Sequence, residues 1–375
     1  MKEFLIKSVK YSYTLILRPV FFLFDSETIH TTLVNFGTQI GKITPLHFLI
    51  KKLIRIEDVS LEQNIAGIKF DNPIGLAAGF DYEAKLPNVL PMIGFGFGTV
   101  GTITNKPYEG NPPPMLGRLI KSKSLLVNKG FKNSGIAKIV NQHKNSKFPI
   151  PIGISIGKSN CREQMTQQEA VNDVVESFKE IEKNNLPFKY YELNISCPNL
   201  YGNIEFYSSQ KLRELLAAIT TLRLSRPLFI KMPIDKRNTE VNEMLNVIIS
   251  FPVQDVIFGN LWKDKNPKSL DQEDDKKYKK RFYSGKPTEE RSNELIGLVY
   301  KKYCDRLTII GCGGVFSPED AYKKIRLGAS LVELITGLIY QGPQLPAEIN
   351  FGLLRLLKKD GFKNISEVIG TDAIG

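Results

Sequence analysis

Histidine is scarce in this chain: three among 375 residues, beside one tryptophan and four cysteines. Cys161, Cys197, Cys304 and Cys312 form no CxxC pair and have no His-rich partner segment, so neither a zinc site nor a disulfide framework is expected. Such cysteine usage suits a reducing compartment. Missing too is an unbroken apolar run of the roughly 20 residues a spanning helix needs. The strongest apolar stretch, Tyr11 to Phe24, is shorter and is interrupted by Arg18 and Pro19. Charge is not lacking: the net value is +12, which suits nucleic acid, anionic lipid or an acidic small molecule. The lysines are dispersed, however, and the one basic run, "DDKKYKKRFY" (274–283), reads as a solvated loop. No nucleic-acid module is recognisable, and neither a metal nor a nucleic-acid partner is expected.

The N-terminus differs in composition from the rest. Lys2, Lys7 and Lys10 precede the apolar stretch as in a signal peptide, but no small-residue cleavage site follows, and Phe24 leads straight into Asp25. Two readings remain, a buried core helix or an interfacial segment; lysines flanking an aromatic and aliphatic face favour the interface. Apolar periodicity from Ile29 to Ile54 predicts one or two further short helices. Residues 1–60 thus read as a helical extension and 61–375 as the main domain.

Beyond residue 65, β-type apolar runs alternate with helical patterns. The runs fall at 73–77, 96–101, 151–156, 190–196, 227–232, 255–259, 307–311 and 330–335. Their composition suits strands buried on both faces of a parallel sheet. Among the helices, Thr166 and Glu169 make a capping box, Leu212, Leu215, Leu216 and Ile219 form a stripe, and Ser317-Pro318 is an N-cap with proline following. Eight such units predict an α/β fold, a (β/α)8 TIM barrel with an N-terminal helical extension. In that fold, chemistry gathers at the C-terminal strand ends. Here those ends read "AAGFD", "VGTIT", "IGKSN", "NISCPN", "KMP", "GN", "GCGG" and "ITG", rich in groups that line a polar ligand.

"IIGCGGV" (309–315) with "GASLVELITG" (328–337) has the pattern of a phosphate grip on the last two strands. Lys231 closes a strand, where its ammonium can meet an anionic cofactor edge or snorkel to the surface. Asn194, Asn199 and Asn260 are rim amides able to hold a planar ring carrying donors and acceptors, or to cap turns. Cys197, in "ELNISCPN" (192–199), is either a small buried residue or a chemical group at the rim.

"NPIGLAAGFD" (72–81), "GFGFGTVGTIT" (94–104), "KPYEGNPPP" (106–114), "ELNISCPN", "IKMP", "SGKP" (284–287), "IIGCGGV" and "GASLVELITGLIYQGP" occur in the order and spacing of one family. Together they resemble the dihydroorotate dehydrogenases, and "FDSETIH" (24–30) is similar to the helical extension of their membrane-associated, quinone-using class. The resemblance implies FMN-dependent oxidation of dihydroorotate to orotate in pyrimidine (UMP) biosynthesis, with electrons passed to a quinone. It implies flavin contacts by Ala77, Ala78, Gly79, Thr102, Ser155, Asn194, Lys231, Ser284 and Gly285, and phosphate contacts by Gly313, Gly314, Thr336 and Gly337. Asn128, Lys129, Gly130, Phe131, Asn194, Asn199 and Asn260 would hold the substrate. Arg118 would stand at the quinone entrance, and His30 matches the extension's motif without a catalytic role. Cys197 would be the base at C5, the hydride from C6 going to flavin N5. A peripheral site on the cytoplasmic face of a bacterial inner membrane is expected, since no long Arg-rich transit segment is present.

Several positions depart from the family pattern. Tyr82 follows "AAGFD" where the family has Lys, with Lys85 one turn on as a substitute cation. "VNKGF" (127–131) displaces the asparagine of an Asn-x-Met-Gly pattern by one residue and puts Lys129 at the methionine position. Gly259 replaces a flavin-contacting Thr, Leu261 follows Asn260, and Ile335 stands where the quinone class has Tyr. Cys197 belongs to the soluble class, whereas the membrane class uses Ser. These changes keep two alternatives open: a flavin oxidoreductase acting on another cyclic amide or pyrimidine or using another acceptor, and a non-enzymatic flavoprotein docked to a membrane. The segment 263–283 reads as a loop able to fold over the site.

Overall fold

The computed structural model describes the chain except residues 162, 164, 203, 264–268, 279–281 and 374–375. Its strands are β1 (Gln63–Ile65), β2 (Ile68–Phe70), β3 (Ile74–Leu76), β4 (Phe97–Ile103), β5 (Leu116–Leu119), β6 (Ser124–Val127), β7 (Ile152–Ile156), β8 (Tyr190–Asn194), β9 (Leu228–Met232), β10 (Asp255–Phe258), β11 (Thr308–Cys312) and β12 (Leu331–Leu334). Eight of them close a barrel in the order β10-β11-β12-β3-β4-β7-β8-β9. All its pairings are parallel, and each of the eight apolar runs supplies one strand. The (β/α)8 expectation holds.

The lower barrel is sealed by aromatic and aliphatic side chains. Phe70, Phe97, Tyr190, Phe229, Ile257, Ile310 and Leu331 form one buried cluster, in which Tyr190 and Phe229 stack with centroids 4.6 Å apart. Phe70 arrives on the β1–β2 hairpin, which the sequence reading missed because its strands have only three residues each. Above this layer the interior turns polar: Thr99 Oγ1 donates to Glu333 Oε1 (2.8 Å) and lies 2.8 Å from the Tyr190 hydroxyl. A larger core fills the space between barrel and helices. The Thr166–Glu169 capping box and the Ser317 N-cap are formed as the sequence implies.

The extension comprises α1 (Lys2–Ser12), a π-turn (Tyr13–Leu17), α2 (Arg18–Phe22), α3 (Ser26–Ile40) and α4 (Thr44–Ile54). Polar contacts tie it to the last helices of the barrel. Lys10 Nζ meets Glu348 Oε1 (2.6 Å), Tyr13 Oη donates to Ile339 O (2.7 Å) and Arg18 Nη1 donates to Tyr340 O (2.8 Å). The apolar stretch is not a buried core helix: Leu15, Ile16 and Leu23 are 72%, 63% and 82% exposed. Among the described residues, nearly every exposed large apolar side chain lies in this extension, and no helix is long and apolar enough to cross a membrane. Within 263–283, part of which lies outside the described residues, Gln272–Lys276 form a short helix capped by Asp271 and anchored through Asp274 Oδ2, which accepts from Ser122 N (2.8 Å).

Candidate active site

Two adjoining cavities open at the C-terminal strand ends, with about 600 and 860 Å³ of space. They share Ala78, Asn194, Asn260, Leu261, Ser284, Ile335 and Thr336, so they form one bipartite site.

The smaller half is lined by Ala77, Lys231, Gly285, Gly313, Gly314 and Gly337 as well as the shared residues. Gly313 and Gly314 have φ of +98° and +75°, conformations that expose backbone N–H groups and that favour glycine. A Cβ there would strike Thr288 Oγ1 or Glu289, so side-chain-free backbone forms the cradle. Lys231 Nζ stands at the floor, 3.7 Å from Glu192 and 4.0 Å from Glu333, and this buried pair of carboxylates keeps it charged. Burial outweighs Lys231 at Glu333, whose carboxyl is pushed up to about 7. Glu192 Oε2 and Glu333 Oε2 lack hydrogen-bond partners. A glycine cradle ending near a fixed cation over orphaned polar atoms fits a phosphorylated, electron-accepting ring.

Ser155 is placed differently from the expectation. It is fully buried and off the cavity wall: its Oγ donates to Glu192 Oε1 (2.6 Å) and lies 2.9 Å from Thr102 Oγ1. Its inward position on β7 puts it one layer below the cavity, where it supports Thr102, which in turn accepts from Asn194 Nδ2 (2.9 Å). Gly259, at φ +153°, has no room for the threonine of the family pattern, because a Cβ would lie 2.3 Å from Cys312 O.

The larger half contains Cys197, Asn194, Asn199, Asn260, Gly79, Thr102, Lys129, Gly130 and Phe131. Asn199 Nδ2 donates to Val127 O (2.8 Å) while its buried Oδ1 has no partner, an acceptor left for a ligand. Asn260 Nδ2 donates to Ser196 Oγ (2.5 Å). Asn128 is not a cavity residue. Leu125 and Val127 of β6 face the cavity, so strand alternation turns residue 128 away and residue 129 in. Asn128 Oδ1 accepts from Asn111 Nδ2 (3.1 Å) on the far side. The one-residue displacement therefore trades a rim amide for the Lys129 ammonium. Lys85 does not replace the cation missing at Tyr82; it pairs with Glu83 (3.1 Å) at a partly exposed position.

Cys197 is half-buried and separates this cavity from a second one behind it, which it shares with Lys158, Glu205 and Tyr207. Burial pushes its thiol up to about 12, opposed by the Asn199 backbone N–H and by Lys263, Lys158 and Lys231. Lys158, in the strand end "IGKSN", lines the cavity behind Cys197 and was not singled out by the sequence reading.

Arg118 sits at the seam between the β5–β6 hairpin and the extension. Its Nη1 donates to Phe24 O (2.6 Å), and its guanidinium lies 4.7 Å from the Phe22 ring centre. Leu116, Leu125, Val127 and Ile339 line the adjacent apolar side of the cavity. His30 also borders it, with Nε2 2.8 Å from Phe80 O.

A closed (β/α)8 barrel with a glycine cradle on its last strands and a rim of amides and a thiol beside it defines an α/β-barrel cofactor-dependent enzyme. The sequence profile described as "Dihydroorotate dehydrogenase" matches residues 60–357, and the chain belongs to that family. It is 34% identical over 362 residues to the dihydroorotate dehydrogenase (quinone) of Sulfurovum sp. (strain NBC37-1), covering 95% of this chain and 97% of that protein. It is likewise 34% identical over 346 residues to that of Christiangramia forsetii, covering 91% and 98%. The crystal structure of the Eimeria tenella DHODH in complex with ferulenol superposes with a TM-score of 0.77 at 27% identity, covering 88% of this chain and 95% of that one.

Proposed function

We propose that this chain oxidises dihydroorotate to orotate with bound FMN and passes the electrons to a quinone, serving pyrimidine synthesis. The observation that carries this reading is the bipartite site, in which a phosphate-type cradle and a rim of three amides, a thiol and a lysine share one wall. FMN, when bound, supplies a two-electron acceptor that takes a hydride at N5.

The chain's own residues do the rest. Gly313, Gly314, Thr336 and Gly337 hold the phosphate, and Ala77, Ala78, Gly79, Thr102, Asn194, Ser284, Gly285 and Lys231 surround the ring, with Ser155 bracing Thr102 from beneath. Asn194, Asn199 and Asn260 present amides to the substrate's ring donors and acceptors. Lys129 and the backbone of Gly130 and Phe131 face its carboxylate. Cys197 takes the C5 proton as thiolate. Lys158, behind it, opposes the burial that disfavours that form. The apolar opening beside Arg118 admits the quinone.

Residues 1–60 serve as a quinone-site and membrane-associating extension and 61–375 as the catalytic domain. The exposed apolar residues of the extension support attachment to the surface of a bacterial inner membrane from the cytoplasmic side. Turnover assays test the function. Reduction of a soluble quinone analogue should require both dihydroorotate and flavin-loaded protein. Yellow protein that leaves dihydroorotate untouched would reject it.

A further inference from the structure

One wall of the substrate cavity is built by the extension. α3 is capped by Asp25, whose side chain accepts from Thr28 N (2.9 Å), and this cap fixes the start of the helix that carries Glu27 and His30. Glu27 Oε2 forms an ion pair with Lys129 Nζ (2.7 Å), and Glu27 Oε1 accepts from Lys132 Nζ (3.1 Å). Lys129 is nearly inaccessible and its ammonium stands 4.5 Å from the centre of the Tyr82 ring. Tyr82 Oη is buried with no hydrogen-bond partner, and His30 packs against the same ring at 5.3 Å. His30, Tyr82, Lys129 and Lys132 all border the cavity; Glu27 stands behind them.

A buried ammonium beside an unpartnered phenol is a site for an anion. Glu27 is the group that keeps the ammonium there, since a lone lysine in this environment is costly and would swing to water or lose its proton. We propose that Glu27 of the extension is a positioning residue for substrate binding: it holds Lys129, charged and aimed into the cavity beside Tyr82, as the recognition site for the substrate's carboxylate. This deepens the dihydroorotate reading and rests on it. Glu27 touches no reacting atom, so it acts on binding and not on proton or hydride transfer.

The electrostatics agree with the geometry. Burial lowers the Lys129 ammonium to about 8, and Glu27 is the first group opposing that fall; Asp25 adds to it and Lys132 works against it. His30 is lowered to about 4 and the Tyr82 hydroxyl is raised, so both are neutral across the working range and leave Lys129 and Lys132 as the cationic side chains on this wall, Lys129 the more deeply buried.

The test uses flavin-loaded, full-length wild type, Glu27→Gln and Glu27→Asp, with dihydroorotate, orotate and a soluble quinone analogue. KM and kcat for dihydroorotate, and the orotate Kd from flavin absorbance changes, are measured from about pH 6 to about pH 9. Glu27→Gln should raise KM and Kd roughly tenfold at neutral pH while kcat changes by less than about twofold, and the defect should grow as pH rises. Glu27→Asp should restore most of the affinity. An unchanged KM and Kd in Glu27→Gln, or a loss of kcat with KM constant, overturns the role of Glu27. Wild-type flavin left oxidised by dihydroorotate overturns the parent reading, and this one with it.

Discussion

Cys197 illustrates how one side chain can be placed well and charged badly for its role. It faces the substrate half of the site, yet burial holds its thiol at about 12, well above neutrality. Only the thiolate can take a proton, so the rate of flavin reduction should climb with pH by close to tenfold per unit until binding or another step limits it. Lys158→Met removes one of the cations that oppose the burial, and should slow reduction at neutral pH while alkaline pH restores it. An unshifted pH profile in rapid-mixing measurements would count against the lysine's part. Most residues that line the two cavities were legible at this scale, because glycines and amides at strand ends announce themselves in short motifs. Asn128 and Ser155 were not. A motif match assigns a residue to a neighbourhood, but the direction and depth of its side chain decide whether it reaches the cavity: Asn128 is turned to the far side, and Ser155 points inward one layer too low.

At the level of elements, the extension is the part whose chemistry is least like a folded core. Its helices turn many apolar residues outward, and the anchoring contacts at Lys10, Tyr13 and Arg18 leave Leu15, Ile16 and Leu23 uncovered. If this face enters a lipid headgroup region, replacing Leu15 and Leu23 together with Asp should abolish co-sedimentation with anionic vesicles while leaving flavin reduction by dihydroorotate unaltered. Equal sedimentation of the two proteins would remove the interfacial assignment. The sequence pattern located these helices but could not say which face each would bury, nor that α3 would deliver Glu27 to Lys129, because the two are separated by about a hundred residues of chain and meet only through the barrel. The β1–β2 and β5–β6 hairpins escaped notice for a related reason. Their strands of three and four residues are too short for a period of two to stand out.

The whole molecule follows from a repeated pattern, and its eight barrel strands were readable because each is a short, largely apolar run followed by a polar strand end. The closed end of the barrel holds a counter-example. Asp255 is buried at the start of β10, its carboxyl raised by burial to about 7 with only a weak contact from the Thr308 hydroxyl in opposition. An acid raised in the folded state destabilises as pH climbs: between about pH 4 and about pH 7 the unfolded chain gives up a proton that the native one keeps. Asp255→Asn should therefore stabilise the fold by a few kcal/mol, roughly, at pH 8, with the gain vanishing toward pH 4 in denaturant titrations. A gain that does not depend on pH would contradict the assignment.

The central claim is that the rim thiol and the cofactor half of this site act together on dihydroorotate. Anaerobic rapid mixing of flavin-loaded wild type and Cys197→Ala with dihydroorotate tests it most directly. The account predicts prompt bleaching of the wild-type flavin, and equal flavin content in the variant with bleaching slowed by about a hundred- to ten-thousand-fold. Bleaching at the same rate in both proteins would contradict it.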